Sequence, residues 1–228
     1  MRTIVLLALI AAAPAGAATR GYALSDFDRV RVNGTTQVTI VKGRATSVSA
    51  EGSLDSLDRL ALQVIDRELI VQQKAPLAGE RARRGETPAT VRVTVPGLRA
   101  LRLIGSGRID ADSIGGASTS LSVSGSGAIN VTALEADRAT LGLTGAGSIA
   151  AGGKAKMLSA VLLGSGSIDA ATLIADDLTV NASTTGNATL GARRSAKVTS
   201  NGSGDVIVTG TPACTVRNTG AGTVRCGR

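Results

Sequence analysis

The residues able to do chemistry are few, and their spacing is regular. Asp110, Asn130 and Asp169 each stand five positions after a glycine of one recurring motif, so a repeating fold would set them in one outward column. Stacked carboxylates on a parallel β-helix can hold Ca2+ through oxygen ligands, and such a column beside a basic residue could serve cleavage of an acidic polysaccharide. Ala150 takes the same place in the intervening unit and interrupts the column. The favoured reading is therefore a solvated outer face with no metal and no other cofactor. The chain has no His, which excludes Ser-His-Asp and Cys-His catalysis and any His-dependent metal centre; no catalytic residue is assigned. Cys214 and Cys226 flank Gly220 at six residues on either side. In an oxidising compartment such a pair invites a disulfide, and closing a loop of about 13 residues is worth about 3 kcal/mol in the chain-entropy picture. A staple on the last repeat is the preferred reading. Two buried free thiols and a redox pair are its rivals, although the spacing is not C-x-x-C.

A net charge of +8 and a pI near 10.5 permit affinity for anionic surfaces such as lipopolysaccharide, acidic glycans or nucleic acid. The basic residues are scattered, with one cluster at Arg81, Arg83 and Arg84 that reads as a solvated loop. Base stacking needs aromatic platforms, and Tyr22 and Phe27 are the only aromatic residues of the chain. Nucleic acid is accordingly not expected as a partner. Sugar-stacking platforms are missing for the same reason, so glycan binding would have to rest on hydroxyl and amide groups.

The elements that position these residues follow from a repeat. Gly105-Ser106-Gly107, Gly125-Ser126-Gly127, Gly145-Ala146-Gly147, Gly164-Ser165-Gly166, Thr184-Thr185-Gly186, Gly202-Ser203-Gly204 and Gly220-Ala221-Gly222 recur every 18 to 20 residues. Around each, apolar residues alternate with period two: Leu101 and Leu103, Leu121 and Val123, Leu141 and Leu143 before the motif, and Ile109, Ile129, Ile149 and Ile168 after it. That is strand periodicity. A unit this short cannot bury its apolar face alone, so coils must stack about 4.8 Å apart, and seven would rise about 30 Å. The predicted fold is an all-β parallel β-helix, or β-solenoid, with coils of about 18–20 residues. The glycines share the parity of the aliphatic residues, which predicts that they face inward and let the chain bend sharply there.

The N-terminus reads as a secretory leader over residues 1–17: Arg2, an apolar run from Ile4 to Ala13, and small residues that predict cleavage after Ala17, with Ala18 as the alternative. No Cys follows to take a lipid, and no apolar run reaches the roughly 20 residues of a membrane span. Residues 18–97 then form β coils and a cap continuous with the regular solenoid of residues 98–228. Val30 to Ile40 fits the coil template, with Thr36 in place of the second glycine. Strands are predicted over Ser47–Ala50, Leu60–Ile65, Leu69–Gln72 and Thr90–Val95, with an exposed loop from Ala75 to Pro88.

Phe27-Asp28-Arg29-Val30-Arg31-Val32, the run Val91 to Leu98 leading into Leu103-Ile104-Gly105-Ser106-Gly107, and the repeated units such as Gly127-Ala128-Ile129-Asn130 resemble the head GIN domain family of exported bacterial proteins, described as auto-transporter adhesins. The resemblance covers roughly Ser25 to Arg228. It implies a β-helical fold on the periplasmic or extracellular side and supplies no catalytic residues. A membrane barrel with aromatic girdles does not fit a chain with one Tyr and one Phe. The expectation is a non-enzymatic structural or adhesin-like interaction module at the bacterial envelope, with envelope glycans or another envelope protein as partner. The alternative is an envelope protein that binds or cleaves polysaccharide.

Overall fold

The computed structural model describes residues 18–74 and 88–227. The leader with its cleavage point after Ala17, the Arg81, Arg83 and Arg84 cluster, and the Ala75 to Pro88 loop except Pro88 itself lie outside the described residues. In chain order the elements are β1 (Ala18–Tyr22), β2 (Arg29–Gly34), β3 (Gln37–Lys42), β4 (Ser47–Gly52), α1 (Leu54–Asp58), β5 (Leu60–Ile65), β6 (Glu68–Gln73), β7 (Thr90–Val95) and β8 (Ala100–Gly105). Then come β9 (Arg108–Gly125), β10 (Ala128–Gly145), β11 (Ser148–Gly164), β12 (Ser167–Thr184), β13 (Ala188–Ser200), β14 (Val206–Gly210), β15 (Ala213–Asn218) and β16 (Val224–Cys226). Strands take up 74% of the described residues and helix 3%, which makes it the all-β solenoid expected, with about six turns.

The coils are long, nearly continuous strands. From β9 to β12 each is extended almost without break from one Gly-x-Gly corner to the next and pairs in parallel with its neighbours. The burial pattern of β10 shows how one strand closes a coil. Ile129 and Val131 point in, Thr132 and Ala133 both point out, Leu134 and Ala136 point in, Asp137 and Arg138 both point out, and Ala139, Leu141 and Leu143 point in. Each pair of successive outward residues shifts the alternation by one and turns the chain, as does a bulge. Every coil therefore has three faces. Its interior is a set of aliphatic columns: Leu101, Leu121, Leu141, Ala160, Val180 and Val198 stand in register and are at most 1% exposed. Full burial of a large aliphatic side chain contributes about 2 kcal/mol.

The Gly-x-Gly corner is shaped by how closely successive coils approach there. The first glycine is held at positive φ, 119° at Gly105, 125° at Gly125, 113° at Gly145 and 116° at Gly164, where other residues are strained. A Cβ there would point along the stack at the coil below, 2.4 Å from the Gly105 carbonyl oxygen in the case of Gly125. That oxygen accepts the N–H groups of both Ser126 and Gly127, each at 3.0 Å, and Gly125 accepts those of Ala146 and Gly147 in the same way. One carbonyl thus receives two donors from the coil above, which draws the corners too close for any side chain. The second glycine of a corner also lies over a core residue of the coil below, as Gly127 does over Leu103. At the degenerate corner Thr184 turns inward, is 3% exposed, and accepts the Gly186 N–H at 2.9 Å; the core residue beside it shrinks to Ala182, which makes room.

The N-terminal end departs from chain order. β2 and β3 form a coil directly beneath the Gly105 corner, with β2 on β8 and β3 on β9. Beneath that coil lie β6 under β2 and β7 under β3, both parallel. Among the described residues, nothing comes within 4 Å of a Cβ on Gly34. Outside this layer the pairing turns antiparallel, β5 on β6, β4 on β7 and β1 on β4. The short helix α1, which the sequence reading did not foresee, is capped by the Ser53 hydroxyl accepting the Ser56 N–H and tucks Leu57, 1% exposed, into the core.

At the other end β15 pairs only with β13, and β16 only with β14, among the described residues. Cys214 and Cys226 form the disulfide, joining these two strands across the Gly220 corner. Their positions continue inward columns as parity required, yet Cys214 is exposed and Val216, in the Leu101 column, is 44% exposed, because no coil covers them.

Candidate functional site

The three faces carry different chemistry. On the first, Thr39, Asp110, Asn130, Ala150, Asp169, Thr189, Ile207 and Arg225 stand in register, so the predicted column exists. Its acidic groups do not converge. Asp110 and Asp169 are three coils apart, about 14 Å at the usual strand spacing. The Asp110 carboxylate is engaged already: Asn130 Nδ2 donates to it at 2.7 Å and Arg108 Nε at 2.9 Å. Among the described residues no three acidic or Cys side chains gather as a metal site would require.

The second face is a ladder of ion pairs between successive coils. Lys154 Nζ lies 2.8 Å from Glu135 and Lys156 Nζ 2.7 Å from Asp137, while Arg193 pairs with Asp176 and Arg194 with Asp177. Hydrogen bonds from Lys154 and Lys156 hold the Glu135 and Asp137 carboxyls below their ordinary range. Arg194, helped by the Ser195 hydroxyl at 2.7 Å, brings Asp177 down to about 2. A hollow of about 580 Å3 runs along this face, but the charges lining it satisfy one another. Near the base of the stack Asp28 gathers Arg99 Nε at 3.1 Å and Arg67 Nε at 3.2 Å, with Arg29 Nε at 3.7 Å. Burial alone would raise the Asp28 pKa; the hydrogen bonds from Arg99 and Arg67 outweigh it and the carboxyl lies below its usual value. This cluster ties the start of β2 to the β5–β6 turn and to the segment leading into β8.

The third face has a surface that the sequence reading passed over. From β2 up to β15 it bears no carboxylate among the described residues. Its outward rows read Ser120, Ser122, Ser124; Thr140, Gly142, Thr144; Ser159, Val161, Leu163; and Thr179, Asn181, Ser183. Basic residues stand at its two ends, Arg31 and Arg102 below, Lys197 and Arg217 above. Arg31 is matched by Glu68 at 2.7 Å. Arg102, Lys197 and Arg217 have no carboxylate within ion-pair distance among the described residues. The signal was present in the sequence as the outward parity before each motif, which was used only to find the core. The residues between the motif glycines, from Ser106 to Ala221, form a column along the corner edge and carry no further group.

A profile of the family described as "Putative auto-transporter adhesin, head GIN domain" matches residues 26–212. Among solved structures, the "putative adhesin" of Bacteroides fragilis superposes with a TM-score of 0.83 at 17% identity, covering 94% of this chain and 98% of that one. A "putative adhesin" of Parabacteroides distasonis gives 0.70 at 22% identity, covering 92% and 97%. A "putative lipid binding protein" of the same organism gives 0.67 at 18%, covering 93% and 97%. At such identities the likeness establishes the fold. No curated protein sequence matches. Among the described residues no helix is long and apolar enough to cross a membrane.

Proposed function

Because the chain belongs to the head GIN domain family of adhesin-like proteins, we propose that it is an exported, non-enzymatic adhesion module of the bacterial envelope whose third face makes the contact. The observation that carries this reading is the segregation of charge. Among the described residues, carboxylates are frequent on the first two faces and missing from the third over the whole height from β2 to β15. Stacking does not require that asymmetry, since the ladder on the second face shows that paired charges are accommodated between coils. The Ser, Thr and Asn side chains of the third face, with Ile104 and Leu163 exposed and Val161 half-buried among them, offer hydrogen bonds at the coil spacing, about 4.8 Å, without the entropy cost of ordering long side chains. Export is supported by the leader-like segment ending at Ala17.

The test is retention of beads coated with the purified chain on envelope preparations and immobilised glycans. Placing three carboxylates on the third face, Ser122→Glu, Thr140→Glu and Asn181→Glu, abolishes retention, while three placed on the first face at Asn130, Ala150 and Thr189 leave it within about twofold. Equal loss from both sets would overturn the assignment of the face. Fractionation of cells expressing the whole chain recovers it outside the cytoplasm with Ala18 as first residue; an intact cytoplasmic chain would overturn export.

Polysaccharide cleavage has weaker support. Asp110, the best-placed carboxylate for it, is already bonded to Asn130 and Arg108.

A further inference from the structure

Resting on the third face as contact surface, we infer that its upper end is a binding cleft for an anionic glycan, with Lys197 and Arg217 taking the acidic group. Lys197, Thr199 and Asn201 on one coil and Thr215, Arg217 and Thr219 on the next surround a cleft of about 530 Å3. Lys197 stands in register with Thr215 and Thr199 with Arg217, so the two cations sit on a diagonal about 8 Å apart at their backbones, from the strand spacing and the two-residue step. Neither has a carboxylate partner among the described residues, in contrast to the cations of the second face. Desolvating either is favourable only against an anion, and Arg217 offers the planar fork suited to a carboxylate or phosphate.

The rest of the cleft is neutral, and polar apart from the buried Val198 at its floor. Thr219 Oγ1 donates to Asn201 Oδ1 at 2.5 Å, and among the described residues no hydrogen bond engages the Asn201 amide nitrogen. The Thr199 and Thr215 hydroxyls stand beside the two cations. A ligand that presents an acid group flanked by hydroxyls meets all of these, and a glycan carrying uronate or phosphate does so at every repeat. An anionic membrane would find no large apolar or aromatic residue in the cleft to insert between its lipids. A nucleic acid would find no ring to stack on.

Affinity electrophoresis of the full chain in gels containing polygalacturonate, a phosphate-bearing teichoic acid or neutral dextran tests the assignment, with phosphatidylglycerol vesicles as a further arm. Retardation by one or both acidic polymers and by neither dextran nor vesicles is expected, and which polymer binds tells carboxylate from phosphate. Lys197→Gln with Arg217→Gln weakens that binding about tenfold, and Thr199→Val with Thr215→Val a few fold. Removing two cations of the first face, Arg92→Gln with Arg225→Gln, changes it less than twofold. Equal loss from both charge pairs would reduce the effect to net charge and overturn the cleft; so would preference for the vesicles, or no retardation by either acidic polymer. If the coated beads still adhere while Lys197→Gln with Arg217→Gln behaves as wild type, the cleft falls and the third face stands. If the beads do not adhere at all, the functional reading falls with it.

Discussion

The two ends of the stack solve one problem by unlike means. A parallel solenoid leaves at each end a row of unpaired backbone groups that could recruit another chain. At the N-terminal end β6, β7 and the antiparallel strands β5, β4 and β1 lie outside the first coil, α1 fills the interior, and Asp28 ties the crossing segments together. At the C-terminal end the last coil is uncovered among the described residues and is held by the disulfide between Cys214 and Cys226. The first end spends sequence irregularity to bury its edge. The second keeps the repeat and its outward surface intact, and the cleft assigned to ligand lies there. Closure and display are thus divided between the ends.

The sharpest way to separate the base from the body of the stack is one substitution made in both. Gly125→Ala combines a backbone φ of 125° with a Cβ 2.4 Å from a backbone oxygen of the coil below. Strain and overpacking together are expected to cost about 3 to 5 kcal/mol. Gly34→Ala has the strain of φ 106° but meets nothing within 4 Å among the described residues, so about 1 to 2 kcal/mol is expected. Urea unfolding midpoints of the two variants check this. Equal losses would show that the corner glycines serve backbone conformation alone and that the shared carbonyl does not set their closeness.

The disulfide comes next in size. Cys214→Ser with Cys226→Ser removes a constraint worth about 3 kcal/mol at most. Because the last coil contacts only one neighbour, the loss is expected locally, as fraying of residues 213–227. Amide exchange should speed in β15 and β16 while β2, β6 and β8 stay protected; uniform acceleration along the chain would mean that the two ends unfold together.

Asp28→Ala makes the complementary cut at the other end. It strips the partners from Arg67 and Arg99, and Arg67 is a non-glycine residue held at φ 61° in the β5–β6 turn. Lost charged hydrogen bonds of this kind cost about 2 kcal/mol. The change should raise exchange in β5 and β6 and leave β15 untouched; no change at β5 and β6 would make Asp28 a solvated acid with no tie to hold.

These contrasts also mark what the sequence could reveal. Leu101, Leu121, Leu141 and Ile109, Ile129, Ile149 were legible because each coil repeats the same local pattern and parity alone places them inside. The pair Asp137 and Arg138 was equally present, but a double outward step is a weak mark unless the coil is known to close in three sides. The insertion of β2 and β3 between the β6–β7 layer and the coil above left no local trace. It depends on pairings such as Val30 with Leu69 and Leu101, set by which edges remain unsatisfied. The carboxylate-free third face was hidden for a plainer reason: Ser122 or Thr140 means nothing singly, and only the register that stacks them makes a surface.

The smallest expected effect belongs to the ladder between the ends, and pH exposes it. Asp177 is lowered from 3.8 to about 2 by the Arg194 and Ser195 hydrogen bonds, and Glu135, Asp137 and Asp28 move in the same direction. A carboxyl whose pKa is depressed in the folded chain contributes its full stabilisation above the unfolded value and loses it as pH falls through the folded one. Stability should therefore hold from neutral pH to about 4 and decline toward pH 2. Asp177→Asn should lower it slightly at pH 6 and leave a shallower decline below pH 4. Added salt should reduce the difference between variant and wild type, since the pair is exposed and screened. Urea midpoints at pH 6, 4 and 2.5 decide it. An unchanged slope in Asp177→Asn would show that the paired ladder contributes nothing to holding the coils, and that the contrast between a paired second face and an unpaired third face concerns solubility and binding alone.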